Sequence, residues 1–163
     1  MVFLALPPHS LEERYNKSLA KAAGSLPPLG ILYLAAVLKN AGHVVQVCDG
    51  SMEDYSTMMS RIRKFKPDVI GFSTMAFIWH NTKQMMREIK KEFPDVKIAL
   101  GGNHATIYKK RCLEEAPEAE FVMMNECEET IVEVVNALEK GTKFDNILGL
   151  IYRDGNIIKQ NPP

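Results

Sequence analysis

The feature that most constrains the fold of this chain is a repeated alternation between short apolar runs and longer amphipathic runs. Short runs of four or five mainly apolar residues occur five times, and each is followed by a segment with apolar residues at helical spacing. The predicted strands are residues 2–6, 44–48, 69–72, 97–100 and 121–124. Such alternation over 163 residues is typical of one parallel sheet with helices on both faces.

The same spacing predicts helices over residues 29–40, 52–65, 78–93, 107–115 and 128–139. The first of them, which Pro27-Pro28 opens, is apolar on most sides, so we expect it to pack deeply against the sheet. The polar stretch 9–25 before it is long for a strand-to-helix connection. A connection of this length is a candidate functional loop.

The fold class follows from these elements. Right-handed crossovers place helices on each face of a parallel sheet, and strand order 2-1-3-4-5 is the most favoured arrangement. The sequence therefore predicts an α/β fold of the flavodoxin-like (Rossmann-like) kind, with a doubly wound five-stranded parallel sheet.

The alternation stops before the end of the chain. Asp154-Gly155 lies between runs at 147–153 and 156–160, and this dipeptide is a strong signal for a two-residue β-hairpin turn. We expect an α/β domain over residues 1–141 and a C-terminal β-hairpin with a linker over residues 142–163.

Charge and cysteine content exclude several classes of function. Twenty basic side chains balance twenty acidic ones, so no excess of positive charge favours nucleic acid or an anionic membrane as partner. The longest apolar helical run, 29–38, is too short to cross a bilayer. Cys48, Cys112 and Cys127 match neither a zinc pattern nor a disulfide framework, which predicts a cytoplasmic protein without protein-ligated metal.

Ligands of open parallel sheets bind at the carboxyl ends of the strands, so those segments indicate the chemistry. The first strand is not followed by G-x-G-x-x-G, which argues against a dinucleotide. Residues 6–9 offer few backbone donors for a flavin phosphate. A phospho-acceptor receiver domain would need an aspartate where Ser73 stands.

Other residues at the strand ends favour a large ligand. Gly71, Ser73 and Thr74 end a central strand with small side chains, which predicts a cleft beside it. Gly101-Gly102 would let a ligand approach the backbone, although a simple turn explains the pair equally well. Asn103-His104 follow and could donate hydrogen bonds, whereas a capping or solvated role is as common for such a histidine.

Four runs in order resemble the N-terminal cobalamin (vitamin B12)-binding domain of cobalamin-dependent radical S-adenosylmethionine enzymes. They are PPLGILYLAA at 27–36, GHVV at 42–45, PDVIGFS at 67–73 and GGNHAT at 101–106. The family includes magnesium-protoporphyrin IX oxidative cyclases and methyltransferases. The resemblance implies a cobalamin cofactor. It also implies a parent chain with a following radical domain, absent here, that carries a [4Fe-4S] cluster and S-adenosylmethionine.

The resemblance further implies where cobalamin is held. Its aromatic tail would lie in a slot between strands one, three and four, walled by Ser73, Thr74, Gly101 and Gly102. The residues expected to bind the cofactor are Pro28, Leu29, Gly30, Gly71, Ser73, Thr74, Met75, Gly101, Gly102, Asn103, His104, Asn125 and Glu126.

Related domains that ligate cobalt carry D-x-H-x-x-G after the first strand. If Gly30 is aligned with the final glycine of that motif, Pro27 aligns with the motif histidine and Ser25 with the motif aspartate. Proline has no side-chain donor, so the resemblance implies cobalamin bound without a protein histidine below the metal. His9 and His80 stay open as rival ligands, with a solvated or capping role favoured for each.

One departure from the family keeps a second hypothesis open. The family usually has Gly-Glu-Gly-Glu after the fifth strand, whereas this chain has Asn-Glu-Cys-Glu at 125–128. The alternative is a degenerate domain that acts as an interaction element without cofactor, and it predicts a collapsed cleft at Ser73 and Gly102. A stand-alone enzyme would need a nucleophile with a base, and only Ser73 with His104 is conceivable. We therefore expect no catalytic residue in this chain.

Overall fold

The computed structural model describes residues 1–15, 17–20 and 26–163. The strands are β1 (Val2–Leu6), β2 (Val45–Asp49), β3 (Val69–Ser73), β4 (Lys97–Gly101), β5 (Phe121–Met123), β6 (Leu150–Asp154) and β7 (Ile157–Gln160). The helices are α1 (Leu11–Arg14), α2 (Lys17–Ala20), α3 (Leu29–Asn40), α4 (Tyr55–Phe65), α5 (Trp79–Glu92), α6 (Gly102–Tyr108), α7 (Lys110–Glu115) and α8 (Glu128–Lys140). A short 3-10 helix, Ala76–Ile78, precedes α5.

The seven strands within the described residues form one sheet in the order β2-β1-β3-β4-β5-β6-β7. The first five strands are parallel, which confirms the predicted fold class and the 2-1-3-4-5 order. The predicted hairpin is also confirmed, and it extends the sheet because β6 pairs antiparallel with β5. Its residues Leu150, Ile151 and Tyr152 are buried. The division of the chain at residue 141 stays a prediction.

The sheet separates two hydrophobic cores, as alternate residues of a strand point to opposite faces. One core contains Phe3, Phe72 and Leu100 with side chains of α4, α5, α6 and α7. The other contains Leu4 and Ala99 with side chains of α3 and α8. Burial on both faces explains why the central strands β1 and β3 have no polar residue from Val2 to Leu6 and from Val69 to Phe72.

Two expectations about helices are wrong in detail. Helix α3 does not pack on most sides: Ile31, Ala35 and Leu38 are buried at i, i+4 and i+7, whereas Leu29 and Tyr33 are each 64% exposed. A helix beside a sheet buries only the stripe that faces the strands. The region predicted as one helix over 107–115 belongs to two helices. Helix α6 starts directly at the end of β4, and Lys109, where φ is 50°, interrupts the helical conformation before α7.

Candidate functional site

A pocket of about 370 Å³ lies at the carboxyl ends of β1, β3, β4 and β5, between α3 and α8. We call it the edge pocket. It is lined by Leu4, Gly30, Ile31, Leu34, Gly71, Phe72, Ser73, Met75, Ala99, Leu100, Gly101, Gly102, Asn103, Thr106, Met123, Asn125, Glu126, Cys127, Glu128 and Ile131.

Small residues of the two central strands form the floor of this pocket. In the register of β3 and β4, Gly71 pairs with Ala99 and Ser73 pairs with Gly101. Ser73 and Ala99 have small side chains on the α3 and α8 face and the glycines have none, so these strand positions place no long side chain between the two helices. A Cβ at Gly71 would lie 2.8 Å from Leu4 Cδ2, so the Leu4 side chain in β1 would have to shift to accommodate a larger residue there.

The polarity of the lining changes along the strand direction. Helices that follow parallel strands run back against them, so the second turns of α3 and α8 lie deeper than the first turns. The lining residues within the strands, apart from Ser73 at the end of β3, and on the second turns of the helices, which we call the inner part, are apolar and include Leu4, Leu34, Gly71, Ala99 and Ile131. The mouth contains Ser73, Asn103, Thr106, Asn125, Glu126 and Glu128. A pocket of this kind suits a ligand with a flat apolar part and a polar periphery.

The two adjacent glycines at the end of β4 have different roles. Among the described residues, a Cβ on Gly101 would meet only Cys127 Sγ, at an ordinary 3.9 Å, so none of them requires glycine at this position. Gly102 has φ +86°, and a Cβ would lie 2.9 Å from the backbone nitrogen and oxygen of Thr74. Gly102 thus allows close packing between the end of β3 and the start of α6, which is the turn explanation of the pair.

Thr74 holds that packing together and does not line the pocket. Its backbone N–H and its hydroxyl both donate to the carbonyl oxygen of Gly101, each at 2.8 Å. Its own carbonyl oxygen accepts from the N–H of His104 at 3.2 Å. The side chain is fully buried, so its polar atom is already used within the fold.

The structure brings nine of the thirteen expected cofactor-binding residues to the edge pocket. They are Gly30, Gly71, Ser73, Met75, Gly101, Gly102, Asn103, Asn125 and Glu126. The other four, Pro28, Leu29, Thr74 and His104, do not line it. Pro28 caps α3 and Leu29 faces solvent, whereas Ser25, placed on the motif aspartate, lies outside the described residues.

The His104 imidazole stacks between two aromatic rings. Its centroid is 4.5 Å from that of Trp79 and 4.5 Å from that of Tyr108. Burial lowers the pKa of His104, because the charged imidazolium is poorly solvated there. Trp79 belongs to the core on the other side of the sheet, and Ser73 lines the edge pocket. The structure thus separates the conceivable nucleophile and base rather than pairing them.

None of the chain's four histidines, all within the described residues, lines the edge pocket. His80 is exposed on α5, and Nδ1 of His43 lies 3.2 Å from Glu139 Oε1. His9 is buried after β1, with Nδ1 3.0 Å from the carbonyl oxygen of Pro7. Its Nε2 is buried without a hydrogen-bond partner among the described residues.

Several lining residues were not expected from the sequence, chiefly Leu34 of α3, Ile131 of α8, Thr106 and Cys127. The apolar periodicity of both helices marks Leu34 and Ile131 as inward-facing, but it cannot tell a packed core from a pocket wall. Burial raises the pKa of the Cys127 thiol to about 12, so this cysteine is not an activated nucleophile.

The described ranges, 1–15, 17–20 and 26–163, lack two kinds of feature. They contain no cluster of three or more histidine, cysteine or carboxylate side chains able to hold a metal ion. No helix in them has the length and apolar character needed to cross a membrane.

Comparison with known proteins relates the chain to a family. It is 32% identical, over 99% of its length, to an uncharacterized methyltransferase of Pyrococcus horikoshii. It is 29% identical over 88% of its length to the anaerobic magnesium-protoporphyrin IX monomethyl ester cyclase of Cereibacter sphaeroides. It covers 34% and 24% of these relatives, so the chain spans about a third or less of their length.

The fold is similar to part of a larger solved structure. The radical S-adenosylmethionine methyltransferase TsrM of Kitasatospora setae, with cobalamin and a [4Fe-4S] cluster bound, superimposes with a TM-score of 0.77 at 18% identity. This match covers 99% of the present chain and 28% of TsrM. The B12 binding domain family model matches residues 16–135, which is most of the chain. The chain therefore belongs to the B12-binding domain family.

Proposed function

We propose that this chain binds cobalamin and that the edge pocket takes the aromatic tail of the cofactor. The observation that carries the proposal is the floor of small residues, Gly71, Ser73, Ala99 and Gly101, which keeps a gap open between α3 and α8. Membership of the B12-binding family and the cobalamin in the TsrM structure support the choice of ligand.

The pocket fits that group in size and in chemistry. Its volume of about 370 Å³ lies in the range of small-molecule sites. A buried aromatic group removes roughly 150–250 Å² from water, which at roughly 25 cal/mol per Å² contributes about 4–6 kcal/mol at most. The apolar inner part supplies the contacts, and polar residues at the mouth can bond to the amide and phosphate groups of the cofactor.

The residues of this chain bind and orient the cofactor. Leu34 and Ile131 flank the slot and exclude water from it, while Asn103 and Asn125 provide side-chain amides at the mouth. Cobalamin, when bound, supplies a cobalt centre that can carry a methyl group. We propose that a radical S-adenosylmethionine domain of a longer parent chain uses it for methyl transfer or oxidative cyclisation, as the names of the relatives suggest.

We also propose that no protein histidine ligates the cobalt from below. Pro27, aligned with the motif histidine, has no side-chain donor, and none of the four histidines, all within the described residues, lines the edge pocket. Electron paramagnetic resonance of the Co(II) form tests this proposal, because a nitrogen ligand splits the cobalt lines. We expect no such splitting, and the same spectrum in His9→Ala and His80→Ala. A nitrogen signal that disappears in either variant would overturn the assignment.

The degenerate-domain alternative predicts a collapsed cleft at Ser73 and Gly102. Both residues line the open edge pocket, which favours the cofactor-binding proposal. We further propose a reducing, cytoplasmic location, because Cys48, Cys112 and Cys127 are all unpaired and buried.

The decisive test adds hydroxocobalamin to the purified chain, removes free cofactor and records the visible spectrum. We expect retention at micromolar protein, and a loss of about tenfold or more in affinity for Ala99→Leu, since about 1.4 kcal/mol of lost contact suffices. The matched control is Val69→Leu, on the same sheet face but at the opposite edge. Failure of the wild-type chain to retain cobalamin would contradict the proposal.

A further inference from the structure

Cobamides are relatives of cobalamin that differ in the aromatic base of the tail. We infer that the edge pocket selects among cobamides by the polarity of this base, and that it prefers the apolar dimethylbenzimidazole of cobalamin to a purine. This inference rests on the proposed function, since it concerns which member of the cofactor class the pocket takes. The observation behind it is the segregation of polar groups at the mouth from the apolar inner part.

Among the described residues that line it, the inner part offers no side-chain hydrogen-bonding group. Leu34 and Ile131 form its walls, and Leu4, Gly71 and Ala99 form its floor. The backbone groups of the floor belong to the parallel ladders of β1 with β3 and of β3 with β4, so they are not free to bond a ligand. Among the described residues lining the pocket, polar side chains occur only at the strand ends and beyond them.

A purine carries ring nitrogens and, in adenine, an amino group that bond to water in the free cofactor. In the inner part these groups would lose water and find no replacement, which is the costly case for a buried polar group. A dimethylbenzimidazole exposes methyl groups there instead. The unreplaced hydrogen bonds should weaken binding of the purine tail by about tenfold or more.

Raw affinities alone would not isolate this effect, because free cobamides differ in how strongly their own base holds the cobalt. The strength of this base–cobalt bond is a property of the free cofactor. It therefore cancels when the affinity of one cobamide for the wild-type chain is compared with its affinity for a variant. The informative quantity is therefore the change, on mutation, of the affinity ratio between two cobamides.

The experiment titrates the 163-residue chain with cobalamin, with the adenine-based cobamide and with tailless cobinamide, using the visible absorption change. The variant is Leu34→Gln, which places an amide in the pocket wall. We expect cobalamin to bind about fivefold or more weakly and the adenine-based cobamide to change by less than about twofold. The matched control is Leu32→Gln, on the same helix but 42% exposed and outside the pocket; its ratio should equal that of wild type.

Ile131→Thr, on the opposite wall, provides a second variant in case Leu34→Gln fails to fold, which circular dichroism would show. An equal shift for both cobamides, or the same ratio change in Leu32→Gln, would overturn the inference alone. Cobinamide bound as tightly as cobalamin would overturn the tail pocket itself. Absence of binding by all three ligands would overturn the proposed function and with it the inference.

Discussion

At the scale of single residues, the adjacent Gly101 and Gly102 differ in why a side chain is absent. Gly101 borders the edge pocket with room for a methyl group. Gly102 combines a positive φ with backbone atoms where a Cβ would be placed. Gly141, at the end of α8, has φ +65° and open space around it. A side chain would therefore cause neither steric conflict nor backbone strain at Gly101, strain alone at Gly141, and both at Gly102.

Alanine at each of the three positions should affect stability in a fixed order. Gly102→Ala should lower the free energy of unfolding by about 2 kcal/mol or more, because strain and conflict with Thr74 add. Gly141→Ala should cost about 1 kcal/mol through strain alone, and Gly101→Ala less than about 0.5 kcal/mol. Denaturant unfolding monitored by circular dichroism measures all three. A Gly101→Ala chain as unstable as Gly102→Ala would contradict the assignment.

At the scale of secondary-structure elements, an aromatic stack connects α5, α6 and α7. His104 of α6 lies between Trp79 of α5 and Tyr108. Trp79 Nε1 donates to Glu115 Oε2 of α7 at 2.8 Å, and Lys83 and Arg111 bond to the same carboxylate. These hydrogen bonds lower the pKa of Glu115 to about 2, so the carboxylate remains charged in mildly acidic solution.

The stack predicts a pH dependence of stability. The pKa of His104 is lowered in the folded chain from its ordinary 6.5, so the unfolded chain binds the proton more strongly. The contribution of the neutral His104 side chain to the free energy of unfolding is present above pH 6.5 and is lost as the pH falls through the lowered pKa. We expect the midpoint of thermal unfolding of the wild-type chain to be lower at about pH 5.5 than at about pH 7.5.

His104→Phe tests that origin, because it keeps a ring in the stack and removes the titrating group. Its midpoint should change much less over the same interval. His80→Phe, which removes an exposed imidazole from α5, should keep the wild-type loss. Equal pH dependence in His104→Phe and wild type would show that the loss arises elsewhere.

At the scale of the whole molecule, the C-terminal hairpin is part of the sheet. Strand β6 covers the edge of β5, pairing Phe121 with Tyr152 and Met123 with Leu150. The side chains of Leu150, Ile151 and Tyr152 are almost entirely buried. Burial of each large side chain contributes about 1.5–3 kcal/mol, and a typical domain is stable by only about 5–15 kcal/mol.

Ending the chain at Gly141 should therefore remove several kcal/mol of stability and expose the edge of β5. We expect a lower unfolding midpoint and association in size-exclusion chromatography. Ile157→Ser, a change on β7 at a side chain that is 65% exposed, should leave both properties close to wild type. A truncated chain with the wild-type midpoint would show that residues 1–141 are self-sufficient.

Much of the fold could be predicted because its signals are local. The five parallel strands lie within two residues of their predicted bounds, and apolar runs with flanking turns define them without knowledge of their neighbours. The extent of packing around α3 was not predictable in this way. An apolar residue such as Leu29 or Leu32 is expected to be buried whichever side of the helix faces the sheet, but both are exposed.

The amino-acid sequence by itself determined the order of elements and which residues meet at the carboxyl edge, because parallel strands bring all their ends to one side. Only the tertiary structure decided which of those residues open a space. Thr74 is small like Ser73, yet its hydrogen bonds with Gly101 and His104 commit it to the packing of β3 against α6. The walls come from Leu34 and Ile131, on helices about a hundred residues apart in the chain, and their approach depends on how both helices pack on one face.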